Sequence, residues 1–150
     1  MTTAHTTAPT VAFPARLAAG IAGGLVGGVV FGILMQAWDM MPMVAMLVDS
    51  ESIGVGWLVH LFNSALFGAI FAVLAGRWAT ALLPAAGLGL VYGVLWWVLG
   101  ALLIMPARLG MNEMIFELNT TAWRSLVGHL AYGLLLGLVY VMVGPRLRRG

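Results

Sequence analysis

Charged side chains are missing from long stretches of this chain, and their absence limits its fold more than any motif does. Residues 17–37, 53–75 and 83–105 carry none, and in 122–143 only Arg124, near the start, interrupts the apolar run. A helix needs roughly 20 apolar residues to cross the hydrocarbon core of a bilayer. Inside that core only helices and closed barrels satisfy their own backbone groups. The chain therefore reads as all-α, a four-helix transmembrane bundle. Composition excludes the soluble alternative. Of the 150 residues, 62% are hydrophobic and 8% charged, too few charges to cover a water-facing surface. Seven arginines and no lysine, thinly spread, form no patch for nucleic acid. The lack of cysteine excludes disulfides, thiolate chemistry and cysteine-ligated metal.

Helix punctuation agrees with these limits. Pro14 precedes the first span, Ser52 is placed to cap the second, and Gly76 with Arg77 closes it. Pro84 falls in the first turn of the third span, Pro106 follows it, and Thr120 or Thr121 is placed to cap the fourth. The membrane domain covers 16–145. It lies between a Thr-, Ala- and Pro-rich tail at 1–15, read as disordered and holding His5, and a basic tail at 146–150. Four crossings put both termini on one side with the turn near Gly76. That side carries Arg16, Arg77, Arg146, Arg148 and Arg149 and no acid. The other side carries Arg108 and Arg124 with every acid: Asp39, Asp49, Glu51, Glu113 and Glu117. The positive-inside rule then makes both termini cytoplasmic. On the outer side, 39–52 gathers Met40, Met41, Met43 and Met46 around Pro42. The pattern of 111–118, with Glu113 and Glu117 on one face, predicts a short amphipathic helix at the interface.

Small residues recur every fourth position, the spacing that keeps them on one helix face. Gly20, Gly24, Gly28 and Gly32 form a ladder in the first span, widened by Gly23 and Gly27 and extended by Gln36. Ala85, Gly89, Gly93 and Ala101 repeat it in the third. Such stripes let backbones approach closely, so dispersion and weak Cα–H···O contacts replace the hydrophobic drive that lipid lacks. They serve the bundle itself or, for the first span, a partner helix or a second copy. The chain also divides into loosely repeated two-helix halves. His60, Leu61 and Gly68 correspond to His129, Leu130 and Gly137, and Met41-Pro42 corresponds to Met105-Pro106.

Two histidines lie on small-residue stripes of their own: His60 with Gly56, Ser64, Gly68 and Ala72, and His129 with Ser125, Gly133 and Gly137. Each is about two turns into its span, on the order of 10 Å from the helix start. An ionisable side chain at that depth is a functional candidate. Four readings stand side by side. Each imidazole makes a structural hydrogen bond between helices, with Asn63, Ser64 or Gln36 as partners. The pair ligates a b-type haem or another tetrapyrrole, small neighbours admitting the macrocycle. Gln36, His60, Asn63, Ser64 and His129 line a path for a proton, ion or small solute. Or the outer-side methionines handle copper, since thioethers suit Cu(I).

Nothing in the spacing assembles a nucleophile with its base, a phosphate-binding loop or a carboxylate pair, so enzymatic chemistry is not expected. The segment Val-Gly-Trp-Leu-Val-His at 55–60, followed by Gly68, Phe71 and Ala72, has a counterpart in Gly-His-Leu-Ala-Tyr-Gly at 128–133, followed by Gly137 and Tyr140. On these segments the chain resembles a family of small four-span prokaryotic membrane proteins classed as a domain of unknown function. It departs from that family at 112–119, where Gly-rich sequence is expected. The resemblance implies a multi-pass protein of the prokaryotic inner membrane and no particular activity. The functional expectation is a non-enzymatic accessory or interaction subunit in the lipid bilayer, packing against other membrane helices or self-associating. No cofactor is expected, and haem b on His60 and His129 is the alternative.

Overall fold

The computed structural model describes residues 13–144. The tails expected at 1–15 and 146–150 lie outside it, except that Phe13, Pro14 and Ala15 already belong to the first helix. Among the described residues there are five helices and no strand. They are α1 (Phe13–Ala37), α2 (Met41–Met46), α3 (Ile53–Leu74), α4 (Leu82–Arg108) and α5 (Thr120–Val143). All but α2 are long and apolar enough to cross a membrane. Their outward faces carry Ile33, Leu58, Phe62, Leu83 and Val91, each more than half exposed. So continuous an apolar surface suits lipid and not water. The protein is a multi-pass membrane protein.

The small-residue stripes are used up inside the bundle. A Cβ added at Gly20 or Gly24 of α1 would meet the carbonyl oxygens of Gly68 or Ser64 on α3. One at Gly28 would meet the Ser64 side chain, and one at Gly32 the Trp57 ring. The other face of α1 seats α5: Gly23 lies against the Leu136 carbonyl and Gly27 against that of Tyr132. On α4, Gly89 and Gly93 lie against the carbonyls of Gly133 and His129, while Gly137 of α5 lies against Ala85. The Gly20–Gly32 ladder is thus covered within the chain. It offers no open surface to a partner or a second copy.

These pairings also show the repeat. Ala85, Gly89 and Gly93 stand to α5 as Gly20, Gly24 and Gly28 stand to α3. By that register, Leu88 and Tyr92 fall where α1 has Gly23 and Gly27, and Trp96 falls where α1 has Phe31. The consequence is an asymmetry. At the α1–α5 seam, glycines bring the two halves into close contact. At the matching α3–α4 seam, large side chains hold the helices apart, and aromatic groups bridge the gap. Phe67 stacks on Trp96 with ring centroids 3.8 Å apart, and the Tyr92 hydroxyl donates to the Phe67 carbonyl over 2.7 Å.

Several helix ends differ from the sequence expectation. Asn119, not Thr120 or Thr121, caps α5, its Oδ1 accepting from the Ala122 N–H at 2.9 Å. Ser52 has the extended backbone of a cap residue but accepts no capping bond through its side chain. Helix α4 runs past Pro106 because Trp97–Ile104 is wound as a π-helix. The wider turn gives the Met105 N–H the Gly100 carbonyl. The Leu102 carbonyl, which has no Pro106 N–H to accept, takes the Phe116 N–H at 3.0 Å instead. That bond and the left-handed backbone at Gly110 and Phe116 (φ 73° and 58°) leave no room for an amphipathic helix over 111–118. A single 3₁₀ turn, Asn112–Met114, takes its place.

Candidate functional site

A cavity of about 240 Å³, lined in part by α3 and α4, lies in the half of the bundle nearest α2. It is the place where both histidines meet. Its walls come from α1 (Phe31, Met35), α3 (His60, Asn63, Phe67), α4 (Trp96, Gly100, Ile104) and α5 (Ser125, His129, Tyr132). Its rim comes from α2 and the segment before α5.

Each histidine is held by a backbone carbonyl. His60 Nε2 lies 2.8 Å from the Gly28 carbonyl oxygen of α1, a contact made possible by the close α1–α3 approach. His129 Nδ1 lies 2.8 Å from the Ser125 carbonyl oxygen in its own helix, with the Ser125 hydroxyl at 3.2 Å. The expected bond between helices is therefore found for His60, but its partner is neither Asn63, Ser64 nor Gln36. For His129 the bond is local. Ser64 donates to the His60 carbonyl at 2.7 Å, and Tyr132 donates to the Ser64 carbonyl at 2.8 Å, tying α5 beneath the site to α3.

The Phe31 ring packs edge-on against both imidazoles, with centroids 5.4 Å from His60 and 4.8 Å from His129. Gly128 provides the space for it, since a Cβ there would collide with the ring. One aromatic ring thus touches both histidines. A haem would need two imidazole nitrogens aimed at one iron across the macrocycle. Phe31 packs against both rings, and one nitrogen of each imidazole faces a carbonyl while the other stays free among the described residues.

Gln36 is exposed on α1 and does not line the cavity; its Oε1 accepts from the Trp57 indole, whose ring lies edge-on to His60 at 6.3 Å. Below the cavity, Phe71 and Leu136 are fully buried, and Phe71 is packed edge-on by Tyr92 and Tyr140. At the far end Arg16 donates to the Ala72 carbonyl at 2.7 Å and reaches the Tyr140 hydroxyl at 3.4 Å.

Sequence reasoning missed two parts of the site. The outer-side methionines were singled out, but not the convergence of Met35, Met40, Met43, Met105, Met111 and Met114 on the histidines, which no local spacing reveals because they come from four segments. Trp96 was also missed. Its indole nitrogen is buried without a hydrogen-bond partner among the described residues. Among those residues no group of three metal-ligating His, Asp or Glu side chains occurs. No family model, curated protein or solved structure matches the chain.

Proposed function

We propose that this protein is a non-enzymatic accessory membrane protein that binds a small lipid-soluble molecule in the α3–α4 cavity. The observation that carries the reading is a mainly apolar pocket of about 240 Å³ on which two imidazoles and an asparagine amide converge. Ligand sites in proteins have that make-up: apolar walls with a few placed polar groups. Asn63 and Phe67 of α3 and Gly100 and the exposed Ile104 of α4 line the cavity, so the entrant we infer is a molecule dissolved in the membrane that passes between these two lipid-facing helices. With the termini cytoplasmic, as the arginine distribution indicates, it enters from the outer leaflet. The methionines at the rim suit a ligand of variable shape, because thioether side chains repack easily.

The test uses two glycines of α4. A Cβ at Gly100 or at Gly87 meets nothing within 4 Å, so both positions accept a larger side chain. Gly100 lines the cavity and Gly87 faces outward. A trifluoromethyl-labelled alkylbenzene, followed by ¹⁹F NMR with the protein in nanodiscs, is expected to give a protein-bound resonance beside its lipid resonance. Gly87→Leu keeps that resonance and Gly100→Leu abolishes it. A bound signal that survives Gly100→Leu, or no bound signal at all, overturns the proposal.

A second reading, Cu(I) binding at the rim, draws on the six methionines beside two imidazoles. Titration with Cu(I) against a competing chelator decides it.

A further inference from the structure

The two backbone carbonyls that hold the histidines also determine what the cavity offers a ligand. A carbonyl oxygen only accepts, so the nitrogen facing it carries the proton: Nε2 in His60 and Nδ1 in His129. No carboxylate is paired with either ring among the described residues, where the one ion pair is Arg108–Asp49 at the surface. An unpaired cation at this depth is costly, which leaves each ring neutral. Each therefore keeps one bare lone pair, on Nδ1 of His60 and on Nε2 of His129. Among the described residues neither nitrogen has a hydrogen-bond partner, and neither is sealed off by them. The histidines thus present two acceptors and no donor, and the Asn63 amide beside them both accepts and donates, so a hydroxyl, which also does both, can be matched more fully than a group that only accepts.

The walls narrow the ligand further. Phe31, Phe67, Trp96 and Tyr132 surround the space with aromatic rings. A dry cavity of about 150 Å³ takes up benzene, so about 240 Å³ holds one substituted ring. A longer chain on that ring has an exit through the α3–α4 seam, where the helices are held apart.

We infer, building on the binding role proposed above, that the cavity selects membrane-dissolved phenols. The ligand class is a single aromatic ring with at least one hydroxyl donor and an alkyl or prenyl tail, the quinol form of a quinone head group included. Acceptor-only molecules of the same shape, such as aryl ethers and quinones, bind less tightly. The hydroxyl donates to His129 Nε2 or His60 Nδ1, the ring packs among the aromatic walls, and the tail lies in the seam. No bond is made or broken in the ligand.

The test compares 4-hexylphenol, 4-hexylanisole and hexylbenzene as competitors of the fluorinated alkylbenzene, with full-length protein in nanodiscs and concentrations expressed per lipid. The phenol is expected to compete about tenfold better than the ether, the difference one hydrogen bond to an otherwise unsatisfied buried acceptor makes. In the ¹⁵N spectrum, phenol shifts the unprotonated nitrogen of His129 or His60, and the ether does not. His129→Phe and His60→Phe each lower the phenol-to-ether ratio. The comparison on the unaltered protein stands even if a variant fails to fold. Equal competition by all three molecules overturns the phenol preference while the binding role survives. Tighter binding of the ether overturns it as well. Failure of all three to compete, with no bound fluorine signal, overturns both proposals.

Discussion

Replacing Gly24 by alanine tests whether the glycine ladder of α1 belongs to the bundle. The new methyl would overlap the Ser64 carbonyl oxygen and press on the Gly68 Cα at 3.0 Å. Both are backbone atoms, so no side-chain rotation relieves the clash, and α1 and α3 have to separate by about 1 Å. A gap of that size forfeits roughly a quarter to a half of each dispersion contact it opens. If the seam holds about as many atom contacts as one buried leucine, roughly 40–60 pairs at 0.1–0.2 kcal/mol, about 2–4 kcal/mol is lost. The His60–Gly28 hydrogen bond spans the same seam at 2.8 Å, and stretching it removes about 0.6 kcal/mol more. Gly87→Ala, placed in open space on the same type of helix, changes stability by at most about 1 kcal/mol, in the favourable direction. The assay is reversible unfolding in mixed micelles with increasing dodecyl sulfate, followed by circular dichroism. Gly24→Ala is expected to shift the unfolding equilibrium by about a hundredfold to a thousandfold relative to Gly87→Ala. If the two variants unfold together, the ladder is not an internal seam, and the close α1–α3 approach argued above is wrong.

Asn119→Ala should destabilise α5 by about 1 kcal/mol, because its side chain holds the Ala122 N–H, whereas Ser52→Ala should change α3 by only a few tenths. The same micelle titration compares them, and equal losses would refute the capping assignment. Asp49→Ala, which breaks the exposed 3.5 Å contact with Arg108, is expected to stay within about 1 kcal/mol of the parent protein in that titration. Orientation is open to cysteine labelling, since the chain has no thiol of its own. An impermeant maleimide added to intact cells should modify Asp49→Cys and spare Thr7→Cys and Arg148→Cys, and the reverse pattern would invert the topology.

The number and place of the crossing helices were legible in the sequence because they depend on a local property, roughly 20 consecutive residues compatible with hydrocarbon. The place of His60 and His129, each about two turns into its helix, was legible for a similar reason, since the rise per residue is constant along a helix. Helix ends were read less well. Asn119 captured the cap from Thr120 and Thr121, and the π-wound turns before Pro106 let α4 continue where a proline normally announces a stop. Both outcomes turn on backbone partners. The Phe116 N–H that serves the Leu102 carbonyl comes from beyond the end of α4, and no periodicity encodes it.

The candidate site was decided almost wholly by tertiary structure. By itself the sequence determined that two imidazoles lie within the spans beside small residues. It left open which helices those residues join, because a glycine stripe fits an internal neighbour and an outside partner equally well. Packing assigned the α1 stripes to α3 and α5 and the α4 stripe to α5, leaving α3 and α4 with only aromatic bridges between them. The physical reason lies in side-chain bulk at equivalent places. Gly23 and Gly27 allow the α1–α5 seam to close, whereas Leu88 and Tyr92 hold the α3–α4 seam open. The cavity, with its methionine rim and its two bare imidazole lone pairs, occupies the space left by that difference.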